Sequence, residues 1–330
     1  MTTATTPFRQ LDHFAVAEIT RAAERILADC GTATTSPELL RRTAEMAAGL
    51  SEATRTYCRP VDTDDGLYVL RGLPVDEATI GATPVSWVTA GEAGAIWDLM
   101  LLLLASVMGH PTAWAGQQGG RFVHNIVPAP GREREQTGAS STVVLAPHTE
   151  DAFHPGRAHL LLLGCLRNHD RIATTAASIR RVRLADSDVE TLSTSQVPIL
   201  PDDAYTQART FADDAPAVPA LWRGRHGLTL RFDPAYTPLE RASALYRAAY
   251  QRLSAELDRV TISVSLAPGE VLVIDNDLVV HGRVPFTPRY DGTDRWLKRA
   301  SVRVPGRRTR PPAETDEHGY GQITVEARTV

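Results

Sequence analysis

The sequence has little cysteine, no long uninterrupted apolar run and no block of like charge. Its three cysteines, Cys30, Cys58 and Cys165, form neither a CxxC pair nor an even framework. That argues against a disulfide scaffold or a structural zinc site and fits reduced thiols in a cytoplasm. The longest apolar stretch, residues 95–108, carries Asp98 and falls short of the roughly 20 residues a bilayer crossing needs, so a buried helix is expected there. Lys and Arg are dispersed and the formal net charge is -4, which gives no general attraction to nucleic acid or to an anionic membrane. Residues 1–9 are polar and threonine-rich, without the basic-then-apolar order of a secretory signal, and secretion is not expected. HExxH, GxSxG and P-loop motifs are missing, and no Pro-Cys-x-x-Cys follows the one His-x-Glu of interest. These absences remove zincins, hydrolase elbows, NTPases and nucleobase deaminases. Gly116-Gln117-Gln118-Gly119-Gly120 lacks the helix and spacing of a dinucleotide site.

What is present is a chain of 330 residues, 43% of them hydrophobic, enough for a substantial core in one large domain or two ordinary ones. Phe14, Ala15, Ile19, Ala22, Ala23 and Ile26 recur at spacings of three and four and predict an amphipathic helix over about 11–27. Ser36 followed by Pro37 reads as an N-cap and first helical residue of a second helix running towards Thr56. A strand is expected over 66–75, and a third helix over 91–107. From Phe122 onward the texture becomes that of strands: 122–127, 141–145, 159–166, 228–232, an apolar run over 271–281, and 295–304. A helix over 238–260 interrupts them. The expected class is α+β: a mainly helical part (1–115), a β-rich core (116–306) and a tail (307–330), forming a single domain. Residues 128–138, rich in Pro, Gly and charge, form the one long loop and are a candidate lid.

The most informative stretch is His148-Thr149-Glu150-Asp151-Ala152-Phe153-His154. In an extended segment residues i and i+2 share a side, so His148 and Glu150 would face one point. His281, at the end of the apolar run and followed by Gly282, is the best third ligand. Two histidines and a carboxylate with open positions is the ligand set of non-haem Fe(II) oxygenases; zinc accepts the same donors. Further on, Arg295, Leu297, Arg299 and Ser301 would share a face of an extended strand, placing two guanidinium groups beside the metal. Such forks bind carboxylates bidentately.

These motifs, with Cys165-Leu166-Arg167-Asn168, Ala173-Thr174-Thr175, Pro268-Gly269-Glu270 and His281-Gly282-Arg283, resemble the clavaminate synthase-like branch of Fe(II)/2-oxoglutarate-dependent oxygenases. The resemblance is to its hydroxylases of free arginine and related amino acids. It implies a distorted double-stranded β-helix (jelly-roll) with flanking helices, and iron ligands His148, Glu150 and His281. It further implies that Arg295, helped by Thr174, holds the distal carboxylate of the co-substrate 2-oxoglutarate, with O2 as oxidant. Arg299 would meet the substrate carboxylate, Gln117 its α-amino end, and Asp233 a guanidinium, with Glu150, Ser141, His124 and Asn125 as further candidates for the pocket. Asp233 before Pro234 also reads as a turn former. The arginine-specific pattern has a second acid two positions after Asp233, where this chain has Ala235. The implied reaction is hydroxylation at C3 or C4 of L-arginine or an arginine-derived amino acid, in specialised metabolite (antibiotic) biosynthesis. Lysine, citrulline and enduracididine remain alternative substrates, and a non-catalytic β-sheet binding protein is the alternative of a different class.

Overall fold

The computed structural model describes residues 6–202, 205, 216–224, 227–311, 314 and 324–325. After strand β1 (Phe8–Gln10) come helices α1 (His13–Cys30), α2 (Pro37–Ala48) and α3 (Glu52–Cys58), then β2 (Leu67–Arg71), α4 (Glu77–Ile80), α5 (Ala95–Met108), β3 (His110–Trp114), β4 (Val123–Ile126) and β5 (Leu145–His148). The chain continues through β6 (Leu160–Arg167), β7 (Thr174–Ser178), α6 (Asp186–Leu192), β8 (Leu221–Gly224), β9 (Gly227–Leu230), α7 (Ala244–Val260) and β10 (Ile262–Val264). It ends with β11 (Val271–Asp275), β12 (Val279–Arg283), β13 (Trp296–Arg303) and β14 (Thr324–Val325).

The amino-terminal helices start where the side chains dictate. Asp12 accepts from the Ala15 amide, and Ser36 caps Leu39 with Pro37 in the first turn, satisfying amides that have no intrahelical partner. Ala15, Ile19, Ala22, Ala23 and Ile26 are buried as the spacing requires, but Phe14 is 72% exposed and belongs to the solvent face. The expected helix over 37–56 is two: α2 ends at Gly49, and Ser51 restarts the chain as α3 by capping Thr54. The helix expected over 238–260 is likewise a single 3-10 turn followed by α7, whose N-cap is Ser243. α5 is apolar on every side except at the buried Asp98 and packs on α1, α2 and β13. No helix among the described residues is long and apolar enough to cross a membrane.

The strands form two main sheets. One has eight strands in the order β1-β2-β11-β6-β13-β3-β14, with β4 also on β13; the other has the order β10-β7-β12-β5. All pairs are antiparallel except β1 with β2. In β6 the alternation of side chains sends Leu160, Leu162 and Leu166 into a core shared with α1, α2 and α5, and Leu161, Leu163 and Cys165 into a second core shared with α7 and the smaller sheet. Both faces are buried, so the strand reads as a continuous apolar run; each leucine contributes about 1.5–3 kcal/mol. Gly164 breaks the run because the Trp97 ring of α5 occupies the place of its side chain.

Two strand expectations need correction. Residues 141–144 are irregular and β5 begins only at Leu145. The apolar run over 271–281 is two strands in different sheets: β11 pairs with β2 and β6, and β12 pairs with β5 and β7. Three residues, Asn276, Asp277 and Leu278, carry the chain across. Hydrophobicity cannot reveal this switch, because both strands are buried throughout.

Candidate metal centre and carboxylate site

His148 closes β5, and His281, in β12, is its direct cross-strand neighbour; the imidazole centroids are 4.5 Å apart. Their close approach depends on Gly282: a side chain there would collide with the carbonyl oxygen of Leu145 and lie 3.0 Å from Thr175 Oγ1. Two residues beyond His148, Glu150 brings Oε2 to 3.8 Å from His148 Nε2 and 3.4 Å from His281 Nε2. One ligand atom from each of the three lies within 4.8 Å of the others, and no other such group of histidine, cysteine or acidic residues occurs among the described residues. His148 Nδ1 is 2.9 Å from the Ala146 carbonyl oxygen. A carbonyl only accepts, so Nδ1 carries the proton and Nε2 is free to ligate.

The donor set fits a cation. Glu150 Oε2, which faces both Nε2 atoms, is buried without a hydrogen-bond partner, a costly arrangement unless a ligand completes it. Burial lowers the pKa of His148, but the Glu150 carboxylate outweighs it and lifts the group to about 9. Burial and then the neighbouring His148 push His281 down to about 4. Burial would raise Glu150, yet Arg299 and the two imidazoles hold it well below the usual carboxylate range. Glu150 is thus held as an anion between two imidazoles and Arg299, an environment that favours a shared positive charge.

Two arginines flank the triad. Arg295, buried and pushed down to about 10 by that burial, donates to Thr174 Oγ1 at 2.9 Å, while its Nε has no partner. Arg299 forms an ion pair with Glu150, donates to His124 Nδ1 at 2.9 Å and reaches Gln117 Oε1 at 3.3 Å. His148, Glu150, His281, Thr174, Arg295 and Arg299 line one cavity. A buried guanidinium with free N–H groups beside a threonine hydroxyl is suited to a carboxylate.

The other candidates sit further from the ligands. Gln117 is buried against Arg299, and His124 is pushed down to about 3 by burial and by Arg299. Asn125 Oδ1 accepts from Trp296 Nε1 at 2.9 Å and fixes the strand behind the cavity. Asp233 makes the turn expected of Asp before Pro, accepting from the Ala235 amide at 3.1 Å; burial lifts it to about 6, against the opposing charge of His148. Ser141 is buried, and like Gln117, His124, Asn125 and Asp233 it is not among the residues lining the cavity. The segment 136–138, part of the long loop, does line it, with the Gln136 side chain bonded to the backbone of Val144 and Ala146.

Sequence reasoning missed several residues. Asp202 lines the cavity, but nothing around Pro201-Asp202-Asp203 distinguishes it from a surface turn. Arg283, on the cavity wall, donates to the carbonyls of Ser140 and Val143 and so anchors the end of the long loop. Asp151, in the left-handed region at φ 52°, accepts from Trp114 Nε1 at 2.7 Å and Tyr205 OH at 2.6 Å, turning the chain directly after Glu150. The only local signal in the sequence was the residue type, since Asp is among the few residues that tolerate a left-handed backbone.

Comparison with known proteins places this geometry. The family model "Taurine catabolism dioxygenase TauD, TfdA family" matches residues 63–301. The chain is 38% identical to enduracididine beta-hydroxylase of Streptomyces hygroscopicus over 72% of this chain and 76% of that protein. It is 37% identical to L-asparagine oxygenase of Streptomyces coelicolor over 78% of this chain and 77% of that one. The crystal structure of the non-heme iron oxygenase OrfP with Fe, succinate and (3R,4R)-dihydroxy-L-Arg superposes with a TM-score of 0.80 at 33% identity, covering 90% of this chain and 94% of that chain. The matched span contains both histidines, the glutamate and both arginines, and the chain therefore belongs to the TauD/TfdA dioxygenase family.

Proposed function

We propose that this protein hydroxylates an unactivated C–H bond, at C3 or C4, of a free L-amino acid with a basic side chain, using Fe(II), 2-oxoglutarate and O2. Arginine or an arginine-derived amino acid is the first choice of substrate. The observation that carries the reading is the convergence of His148, Glu150 and His281 with the Arg295–Thr174 pair on one cavity. His148, Glu150 and His281 would hold the metal, which supplies the redox chemistry that couples decarboxylation of 2-oxoglutarate to oxygen insertion. Arg295 would clamp the far carboxylate of 2-oxoglutarate bidentately, with Thr174 fixing the plane of the guanidinium. Arg299, held by His124 and Gln117, would present its remaining N–H groups to the substrate carboxylate, leaving Gln117 and Glu150 for the α-amino group. Positioning is the main task of these groups.

Selectivity for a cationic side chain is supported by acids near the cavity: Asp202 on its wall and Asp233 behind His148. A carboxylate that faces a cation in a closed pocket discriminates basic from neutral side chains. The solved neighbour bound to dihydroxyarginine and the relative that hydroxylates enduracididine support the same class. We read the two sheets as a distorted double-stranded β-helix within one domain spanning 1–330, in a cytoplasmic enzyme of specialised metabolism without nucleic-acid or membrane partners; Ser141 is kept as a more distant pocket residue. The test is succinate formation and product mass with Fe(II), 2-oxoglutarate and free arginine, enduracididine, ornithine, lysine, citrulline or asparagine. Hydroxylation of arginine or a derivative is expected. Turnover confined to neutral amino acids would remove Asp233 and Asp202 from recognition, and no 2-oxoglutarate consumption with any of them would sink the proposal.

A further inference from the structure

We infer that Asn276 is a positioning residue that fixes the backbone of Glu150 and so sets the geometry of the metal site; the inference rests on reading His148, Glu150 and His281 as that site. Glu150 lies beyond the last residue of β5, so no ladder holds its peptide groups. The Asn276 carboxamide takes the place of the missing strand. Its Oδ1 accepts the Glu150 N–H at 2.9 Å, and its Nδ2 donates to the Glu150 carbonyl at 3.1 Å. A second Nδ2 bond, to the Ala158 carbonyl at 2.9 Å, ties the amide to the chain entering β6. The side chain is fully buried, and its own N–H donates to the His159 carbonyl at 2.8 Å.

The three side-chain bonds fix the orientation of the amide, since a carbonyl can only accept and an N–H only donate. With both peptide groups of Glu150 tied, rotation of its backbone would break two buried bonds. The carboxylate is therefore presented at one angle to the two Nε2 atoms. Asn276 also sits in the segment that switches the chain between sheets, five residues ahead of His281. One short stretch thus supplies a ligand to the centre and a clamp for another ligand. Partners that orient metal ligands typically change affinity by about 10–100-fold when lost.

Asn168 provides a matched control. It makes the same three kinds of bond, to the Ile172 amide and the Ile172 and Leu266 carbonyls, without touching the site. Mn(II) titrated into metal-free protein, with free ion read by electron paramagnetic resonance, should bind the Asn276→Ala and Asn276→Asp variants about 10–100-fold more weakly than wild type. The Asn168→Ala variant should bind Mn(II) like wild type even if its Tm falls equally. Unchanged affinity in the Asn276 variants, or an equal loss in Asn168→Ala, overturns the inference; wild type that binds no Mn(II) removes the metal reading itself. Should the variants not fold, amide exchange in wild type decides. The Glu150 N–H is expected to exchange as slowly as ladder amides of β12, and exchange at the rate of an exposed loop excludes the clamp.

Discussion

The two faces of β13 carry buried charge to opposite ends. Trp296, Ala300 and Val302 enter the helical core, and between them Lys298 is wholly buried in an ion pair with Asp98 of α5 at 2.7 Å. Arg295, Leu297 and Arg299 face the cavity instead. On the helix side the charge is matched within the protein, Lys298 on Asp98 Oδ1 and Arg121 on Asp98 Oδ2 at 3.4 Å, and it pins α5 to the sheet. On the cavity side the guanidinium groups of Arg295 and Arg299 keep an unpartnered Nε each. Burial alone therefore does not mark a candidate binding charge; spare bonding capacity beside the triad is the added sign.

The comparison breaks most sharply at the ligands. His281→Ala should reduce succinate formation by at least about 1,000-fold, as expected when a metal ligand is lost, while circular dichroism and Tm change little; wild-type turnover in that variant would remove His281 from the site. Lys298→Met, on the opposite face, should cost about 3 kcal/mol in urea unfolding because the buried Asp98 loses its nearer cation and keeps only Arg121 at 3.4 Å. In combination with Asp98→Leu most of that loss should return, and in both cases the KM for 2-oxoglutarate should stay at its wild-type value. Arg295→Ala should raise that KM about 10–100-fold with a much smaller change for the amino acid, consistent with loss of a bidentate contact worth about 1.5–3 kcal/mol. Equal increases for both substrates would end the division of labour between Arg295 and Arg299.

The smallest effect concerns His124, which must stay neutral to accept from Arg299. Its pKa, about 3 when folded, lies below the ordinary value near 6.5. As pH falls from 6.5 towards 3, the unfolded chain takes up a proton that the folded one refuses, so stability is lost on acidification. Relative to His124→Asn, wild type should lose about 1 kcal/mol between pH 7 and pH 5.5 in urea unfolding. Parallel curves would show that His124 takes up a proton as readily in the fold as in the unfolded chain, which is incompatible with its accepting from Arg299.

Much of the site was legible because its residues obey local periodicities. His148 and Glu150 at i and i+2, and Arg295 and Arg299 two strand repeats apart, needed only an extended chain to converge. Thr174 and Gln117 entered through resemblance: Thr174 accepts from Arg295, which it was expected to help, whereas Gln117, expected at the substrate's α-amino end, accepts from Arg299. Asn276 and Arg283 were hidden for a different reason. Their roles depend on which backbone groups lie opposite them in space, and no periodicity encodes that. The fold shows the same division: the caps at Asp12 and Ser36 were written in the chain, whereas the sheet switch at 276–278 was masked by uniform burial on both sides. Phe14 went the other way, fitting the apolar pattern yet ending in solvent, because α1 buries a narrow stripe of small and branched side chains.

Gly282 gives the site an adjustable spacing. The absent side chain lets β5 and β12 approach beside the paired histidines, so the gap between the two imidazoles is governed by a residue that is itself chemically inert. Alanine at 282 acts as a wedge of one carbon, opening the strands at Leu145 and shifting the two imidazoles while leaving the set of donor atoms unchanged. Enzyme engineers would find here a way to retune the fit for larger or smaller divalent ions through the scaffold, with the ligand chemistry held constant.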